Sequence, residues 1–168
     1  PTSPKGHKSK TQPHGSAKDP IRPLSMSLTA GASYIARTAA VNPNQAKEII
    51  VEAIEHDGFA HIDFLTQCPT WNKDARQYVP YIDINDSEDY DHDVTDREDA
   101  SRMMYETEDK LNEGEVLTGR YYVDADRPSY QEEKRAIGEL PEEPLAERYF
   151  DDDYEWERSY DMFLDKHR

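Results

Sequence analysis

The chain of 168 residues has a single cysteine, Cys68. One thiol excludes any disulfide within the chain and fits a reducing, cytoplasmic setting. Long apolar runs are missing as well. The longest charge-free stretch, Pro23 to Ala36, has 14 residues including four Ser or Thr, too short and too polar for a membrane span of about 20 apolar residues. Pro1 to Lys18 hold Lys, Ser, Gly, Pro and His in place of an apolar signal core, so no secretory signal is expected there. Leu, Ile, Val and Phe together number only 27, or 16%. That scarcity, at a net charge of −16, is the usual mark of disorder. Cations are few too, 20 against 36 acids, which argues against nucleic acid as a partner, because phosphate contacts need clustered Lys and Arg.

The scarcities are uneven. Residues 1–76 carry 9 basic and 7 acidic groups, residues 77–168 carry 11 and 29. Residues 20–65 hold 13 of the 27 large apolar side chains, enough for layers of sheet and helix. In residues 77–168 three lysines stand against eight arginines, and the acids are dispersed. This pattern reads as a halophilic surface more readily than as an acidic tail.

Asp19 and Pro20 resemble a helix start, with Ile21, Leu24 and Leu28 at helical spacing and Gly31 as the stop. Tyr34 to Ala36 is a strand-like run. Asn42 and Pro43 open a clearer helix, whose Ala46, Ile49, Ile50, Ala53 and Ile54 recur on one face before Gly58. Phe59 to Leu65 follows as a strand. Such alternation predicts an α/β protein with a parallel sheet, in which ligands sit beyond the carboxyl ends of strands; Thr66 to Asn72 falls there. Further on, Tyr78 to Ile84 predicts a short strand and Asp83 to Asp99 an acidic stretch without an apolar face. Ala100 to Leu111 predicts a helix with Met103, Met104 and Leu111 inward, Val116 to Val123 a strand, and Gln131 to Gly138 a short helix. From Glu139 the chain is acidic with interspersed aromatics.

Cys68, just past a strand and before Pro69, is placed to offer sulfur to a metal or cluster, although one thiolate cannot hold either alone. A buried apolar thiol is the commoner explanation. Asp83 to Val94 has a calcium loop's oxygen ligands at its first, third and fifth positions, but Glu88 replaces the glycine and Val94 the final glutamate. A solvated loop is therefore expected. His61 and Asp63 would share a strand face, as a satisfied polar edge in preference to a catalytic pair. No nucleophile elbow, phosphate loop or dinucleotide fingerprint occurs, and Lys5-Gly6-His7-Lys8 is too short for a phosphate cradle.

Four segments, in order, resemble the β subunit of 2-oxoacid:ferredoxin oxidoreductases: Pro1-Thr2-Ser3-Pro4-Lys5-Gly6, Gly31-Ala32-Ser33-Tyr34-Ile35-Ala36-Arg37, Ala53-Ile54-Glu55-His56-Asp57-Gly58-Phe59 and Gln67-Cys68-Pro69-Thr70. Gly119 to Tyr130 resembles a later segment of the same subunit, and the acidity resembles a haloarchaeal member. The resemblance implies the C-terminal part of a thiamine-diphosphate-binding, parallel-sheet α/β fold with an acidic C-terminal extension. Residues 1–66 would complete the thiamine-diphosphate domain, 67–138 form the subunit's C-terminal region, and 139–168 an acidic, aromatic-bearing tail. It further implies oxidative decarboxylation of a 2-oxoacid, with a lean to pyruvate over 2-oxoglutarate, acyl transfer to coenzyme A, and electrons passed through a 4Fe–4S cluster to ferredoxin. Thiamine diphosphate, Mg2+ and the cluster are the implied cofactors, and an α subunit is the implied partner. Only Cys68 matches a cluster-ligand position. The other ligands are expected upstream of Pro1, so the chain alone should bind neither cofactor and be inactive. A non-enzymatic adaptor, binding a basic partner through Tyr149 to Phe163, is the alternative.

The halophilic reading carries a test. Self-repulsion among the carboxylates of residues 77–168 is screened over about 10 Å at 0.1 M salt but about 3 Å at 1 M. Hydrogen-exchange protection across residues 100–165 of the intact complex should therefore rise steeply between low salt and about 2 M. Equal protection at both ends would sink this reading.

Overall fold

The computed structural model describes residues 5–66 and 81–138. The chain divides into two compact units, Pro1–Arg127 and Pro128–Arg168. In the first, the elements run α1 (Pro23–Thr29), β1 (Tyr34–Ala39), α2 (Pro43–Glu55), β2 (Ala60–Leu65), β3 (Tyr81–Asp83), α3 (Arg97–Glu113) and β4 (Val116–Val123). The strands form one four-stranded sheet in the order β2-β1-β4-β3. β1 and β2 are parallel, as are β3 and β4, each pair being bridged by a helix as parallel neighbours require. β1 and β4 run antiparallel. The sheet is thus mostly parallel, as the sequence predicts, with one antiparallel seam that it does not. That seam joins strands from either side of residue 66.

Two layers of core follow from strand alternation. On one face Ile35, Leu117, Tyr121 and Tyr122 pack with Leu24 and Leu28 of α1 and with Ala100, Met103 and Met104 of α3. On the other, Tyr34 and Ala36 pack against Ile49, with Ala53, Ala60, Ile62 and Val123 around them. Tyr121 and Tyr122 reach the same layer because the β1–β4 register shifts between Ile35 and Ala36, so one extra residue of β4 is accommodated as a bulge.

Helix α2 starts where expected: the Asn42 side chain accepts from the Gln45 amide at 3.3 Å and Pro43 occupies the first turn. Its apolar face is wider than the core uses, leaving Ile54 78% exposed. The start of α1 is a correction. It begins at Pro23 and not at Asp19-Pro20, and its N-cap, Arg22, makes no side-chain cap hydrogen bond. The cap comes from α3, where Glu108 accepts from the Leu24 amide at 3.0 Å and the Ser25 hydroxyl at 2.8 Å. Helix α3 also starts earlier than expected, at Arg97, because Asp96 accepts from the Glu98 and Asp99 amides. It ends at Gly114 in the left-handed conformation. The acidic stretch before α3 is anchored: Ile84 is buried, and the fully buried His92 ring joins Asp99 at 2.8 Å and the Tyr121 carbonyl at 2.9 Å. Burial pushes the Asp99 carboxyl up, but hydrogen bonds from Arg102, His92 and the Asp93 amide outweigh it and hold the group at about 2. A depressed carboxyl contributes stability above its ordinary range, and this contribution is lost as the pH falls from 3.8 towards about 2.

A polar network crosses the sheet beneath α2. The Gln45 side chain accepts from Thr38 at 3.0 Å and donates to Asp83 at 2.6 Å and Thr118 at 3.0 Å. Beyond Asp83 the Asn85 amide mimics a strand, accepting from the Arg120 N–H at 2.7 Å and donating to its carbonyl at 3.1 Å. This approach needs Gly119, where φ is +121° and an added Cβ would meet Asn85 Oδ1 at 2.6 Å and Asp83 Oδ1 at 2.8 Å. In the second unit, α4 (Tyr130–Ala136) opens with a capping box between Ser129 and Glu132.

Gly119→Ala should destabilise the protein by about 2–3 kcal/mol, since backbone strain adds to the collision. Gly31→Ala, with φ +89° but open space around the added carbon, should cost only about 1 kcal/mol. Urea unfolding of the two variants checks the order; equal losses would remove the role given to Asn85.

Candidate functional site

In the parallel β1–β2 pair Arg37 and Asp63 are register partners, which puts both side chains on one face. Arg37 is 1% exposed, and its Nε and Nη2 reach Asp63 Oδ2 at 2.8 Å and 2.7 Å. A guanidinium cannot shed its charge on burial, so a paired carboxylate is the means by which it enters a sheet. The third nitrogen, Nη1, is buried without a hydrogen-bond partner among the described residues.

Arg37 and Asp63 line a cavity of about 480 Å³ beyond the carboxyl end of β2. Its walls are the segment from Asp19 to Pro23, the end of β2 from Asp63 to Thr66, and Glu108, Asp109 and Leu111 of α3. The volume lies in the range of small-molecule sites, and the place is where α/β sheets bind ligands. Ile21, Pro20, Phe64, Leu65 and Leu111 supply apolar surface. Arg22 lines the cavity beside them: it donates to Asp109 at 2.5 Å, lies 3.8 Å from Glu108, and sits 5.0 Å over the Tyr105 ring. The Glu108 side chain is 5% exposed. Burial pushes its carboxyl up, against the lowering effect of the Ser25 and Leu24 donors and of Arg37. A raised carboxyl favours the fold below its ordinary range, and that contribution is lost as the pH rises through the raised value.

At the rim, Lys5 pairs with Asp19 at 3.2 Å. Residues 5–18 form a closed hairpin, with the Gly6 amide donating to the Ser16 carbonyl at 2.7 Å and the Ser16 amide to that of His7 at 3.0 Å. A Cβ at Gly15 would lie 2.6 Å from the Gly6 carbonyl oxygen, so the two ends of this loop meet closely only because residue 15 is glycine.

Cys68 lies outside the described residues, two positions beyond Thr66 of the cavity wall. Asp63 is satisfied by Arg37, whereas His61 Nε2 is buried with no partner among the described residues. The Asp83 and Asn85 oxygens considered for calcium are engaged instead by Gln45, the Asn85 amide and Arg120. Sequence reasoning missed Arg37 and Glu108. The available signals were a lone arginine ending an apolar strand run and an aspartate in the strand that follows.

No family model matches the chain. It is 41% identical over 70 residues to the 2-oxoglutarate synthase subunit KorB of Archaeoglobus fulgidus, covering 42% of this chain and 26% of that one. To the 2-oxoacid:ferredoxin oxidoreductase subunit beta of a Sulfolobus species it is 30% identical over 145 residues, covering 81% and 46%. Its fold matches a solved 2-oxoglutarate:ferredoxin oxidoreductase from Magnetococcus marinus, which has 2-oxoglutarate, coenzyme A and succinyl-CoA bound. That match has a TM-score of 0.66 at 28% identity, over 87% of this chain and 49% of the other. The chain is a homologue of the β subunits of 2-oxoacid:ferredoxin oxidoreductases, which are subunits of an oxidoreductase complex. It spans about a quarter to a half of the length of these relatives. No described helix is long and apolar enough to cross a membrane.

The buried pair carries its own test. Arg37→Met leaves Asp63 without its counter-ion and should cost about 3 kcal/mol in urea unfolding, whereas Arg37→Met with Asp63→Leu should lie within about 1 kcal/mol of the parent. Additive losses would mean that the two groups are not coupled.

Proposed function

We propose that this chain is part of the β subunit of a 2-oxoacid:ferredoxin oxidoreductase that acts with an α subunit. The complex converts a 2-oxoacid and coenzyme A into acyl-CoA and carbon dioxide, passing two electrons to ferredoxin. The observation that carries this reading is the fold match over 87% of the chain. The lean to pyruvate finds no support among these relatives. Their names favour 2-oxoglutarate as substrate and succinyl-CoA as product.

Thiamine diphosphate, Mg2+ and a 4Fe–4S cluster belong to this reading as cofactors of the whole complex. The residues at hand do not fit them unaided. Cys68 is the chain's single thiol, against the four that a cluster takes. Among the described residues no group of three or more His, Cys, Asp or Glu could hold a metal ion. The remaining ligands would come from polypeptide outside this chain. Cys68 is proposed as one cluster ligand, its place two residues past the cavity wall being compatible with that role.

The intact complex should reduce ferredoxin in a reaction that requires both coenzyme A and a 2-oxoacid, with kcat/KM for 2-oxoglutarate roughly tenfold or more above that for pyruvate. Absence of any 2-oxoacid-dependent reduction would overturn the function, and a preference for pyruvate would overturn the substrate. In the same complex Cys68→Ser should lower the cluster's visible absorbance while leaving thiamine diphosphate bound. Unchanged iron and sulfide content would return Cys68 to ordinary packing.

A further inference from the structure

Among the described residues strand β2 ends the sheet on one side, yet the chemistry around that edge is that of an interior. A free edge strand is ordinarily protected by proline, by lysine, by a bulge or by being very short. The segment Ala60–Leu65 contains neither residue, and it pairs with β1 in unbroken register over all six positions. Parallel strands are also ordinarily covered on both faces. β1 meets that condition, being buried at every position, whereas β2 is buried at none.

Helix α2 overhangs the same edge. Its Gln45 and Glu52 reach Thr118 and Arg120 of β4, so the flank that carries them faces the middle of the sheet. Ile50 and Ile54, one turn apart, sit on the opposite flank, towards and beyond β2. They are 38% and 78% exposed. Thr38 hydrogen-bonds Gln45 and therefore faces α2. Phe64, its register partner, faces the helix too and is 40% exposed. On the other face of β2, the His61 Nε2 is buried with no partner among the described residues. A neighbour that satisfied this edge would bring apolar side chains to the α2 side and a hydrogen-bonding group to the His61 side.

The length of the relatives says what that neighbour is. The solved homologue is matched over 87% of this chain but 49% of its own, and the Sulfolobus subunit over 46% of its own. About half of each relative is thus polypeptide without a counterpart here. We propose that β2 is an inner strand of the complete subunit, its outer edge paired with a further strand from that polypeptide, which covers Ile50, Ile54 and Phe64 and supplies a polar group to His61 Nε2. The assignment rests on the reading of this chain as part of a β subunit, and goes beyond it in placing where the rest of the subunit joins. The α subunit and a second copy of this chain are the competing occupants.

In the intact complex, amide hydrogen exchange across Ala60–Leu65 should be as slow as across Tyr34–Ala39, because a strand paired on both sides leaves its amides closed to water. Ile54→Lys should speed exchange in β2 by roughly tenfold or more. Glu55→Lys, at an exposed position of the same turn, should leave it unchanged. Photo-crosslinking from Ile54→p-benzoylphenylalanine should join this position to residues of the same β subunit that lie outside this chain, as read by mass spectrometry of a band with the mobility of a single subunit. Fast exchange in β2 of the parent, or equal exchange in the two lysine variants, overturns the proposal. Cross-links to the α subunit or to a second β subunit, or none, overturn it as well. Ferredoxin reduction measured on the same preparation separates the two readings. An active complex with a bare β2 edge refutes this proposal alone, and a covered edge in a complex that oxidises no 2-oxoacid contradicts the functional reading alone.

Discussion

The antiparallel pairing of β1 with β4 is the constraint on which the rest of this structure depends. Each parallel pair, β1 with β2 and β3 with β4, is a strand–helix–strand unit with one helix to cover it. Neither unit buries both of its faces alone. The seam places α3 beside α1 under one face and brings Thr118 of β4 within reach of Gln45 of α2 on the other. The bulge in this ladder turns two successive tyrosines into the larger core layer, and His92 then ties the preceding loop to the β4 backbone at Tyr121.

The cavity is a by-product of the same seam. With α3 held beside α1, Glu108 reaches the first turn of α1 and replaces the cap that its own sequence lacks. The segment before α1 is thereby fixed opposite the end of β2, and the space between them is lined by Arg37. Charge distribution follows burial closely here. Arg37, buried within the sheet, has an aspartate in register, while the lysines of residues 5–18 stay exposed to water, where a cation costs least.

Much of the architecture was legible in local sequence because local chemistry decides it. Asn42-Pro43 and the Ile49 to Ala53 spacing mark α2 through a cap and a period that operate within one helix, and Val116 to Val123 reads as a strand from its own residues. Misreadings occurred where the deciding partner was distant. Asp19-Pro20 has the form of a helix start, yet α1 starts three residues later because its cap lies 84 residues away on α3. The acidic stretch before α3 is featureless by composition, yet Ile84 and His92 bury themselves against β4 and α3.

By itself the sequence determined the order of helices and strands, the α/β class, the uneven charge and, through four ordered segments, the resemblance to an oxidoreductase subunit. Propensity, capping and periodicity act over a few residues, so a linear string carries them in full. Only the tertiary structure decided that two parallel pairs meet antiparallel, that Arg37 faces Asp63, and that acids from three distant segments line one cavity. These depend on which strand edges pair and on which side chains then share a low-dielectric space. Such choices are settled by the summed burial and hydrogen bonding of residues far apart in the chain, and no short stretch of it contains them.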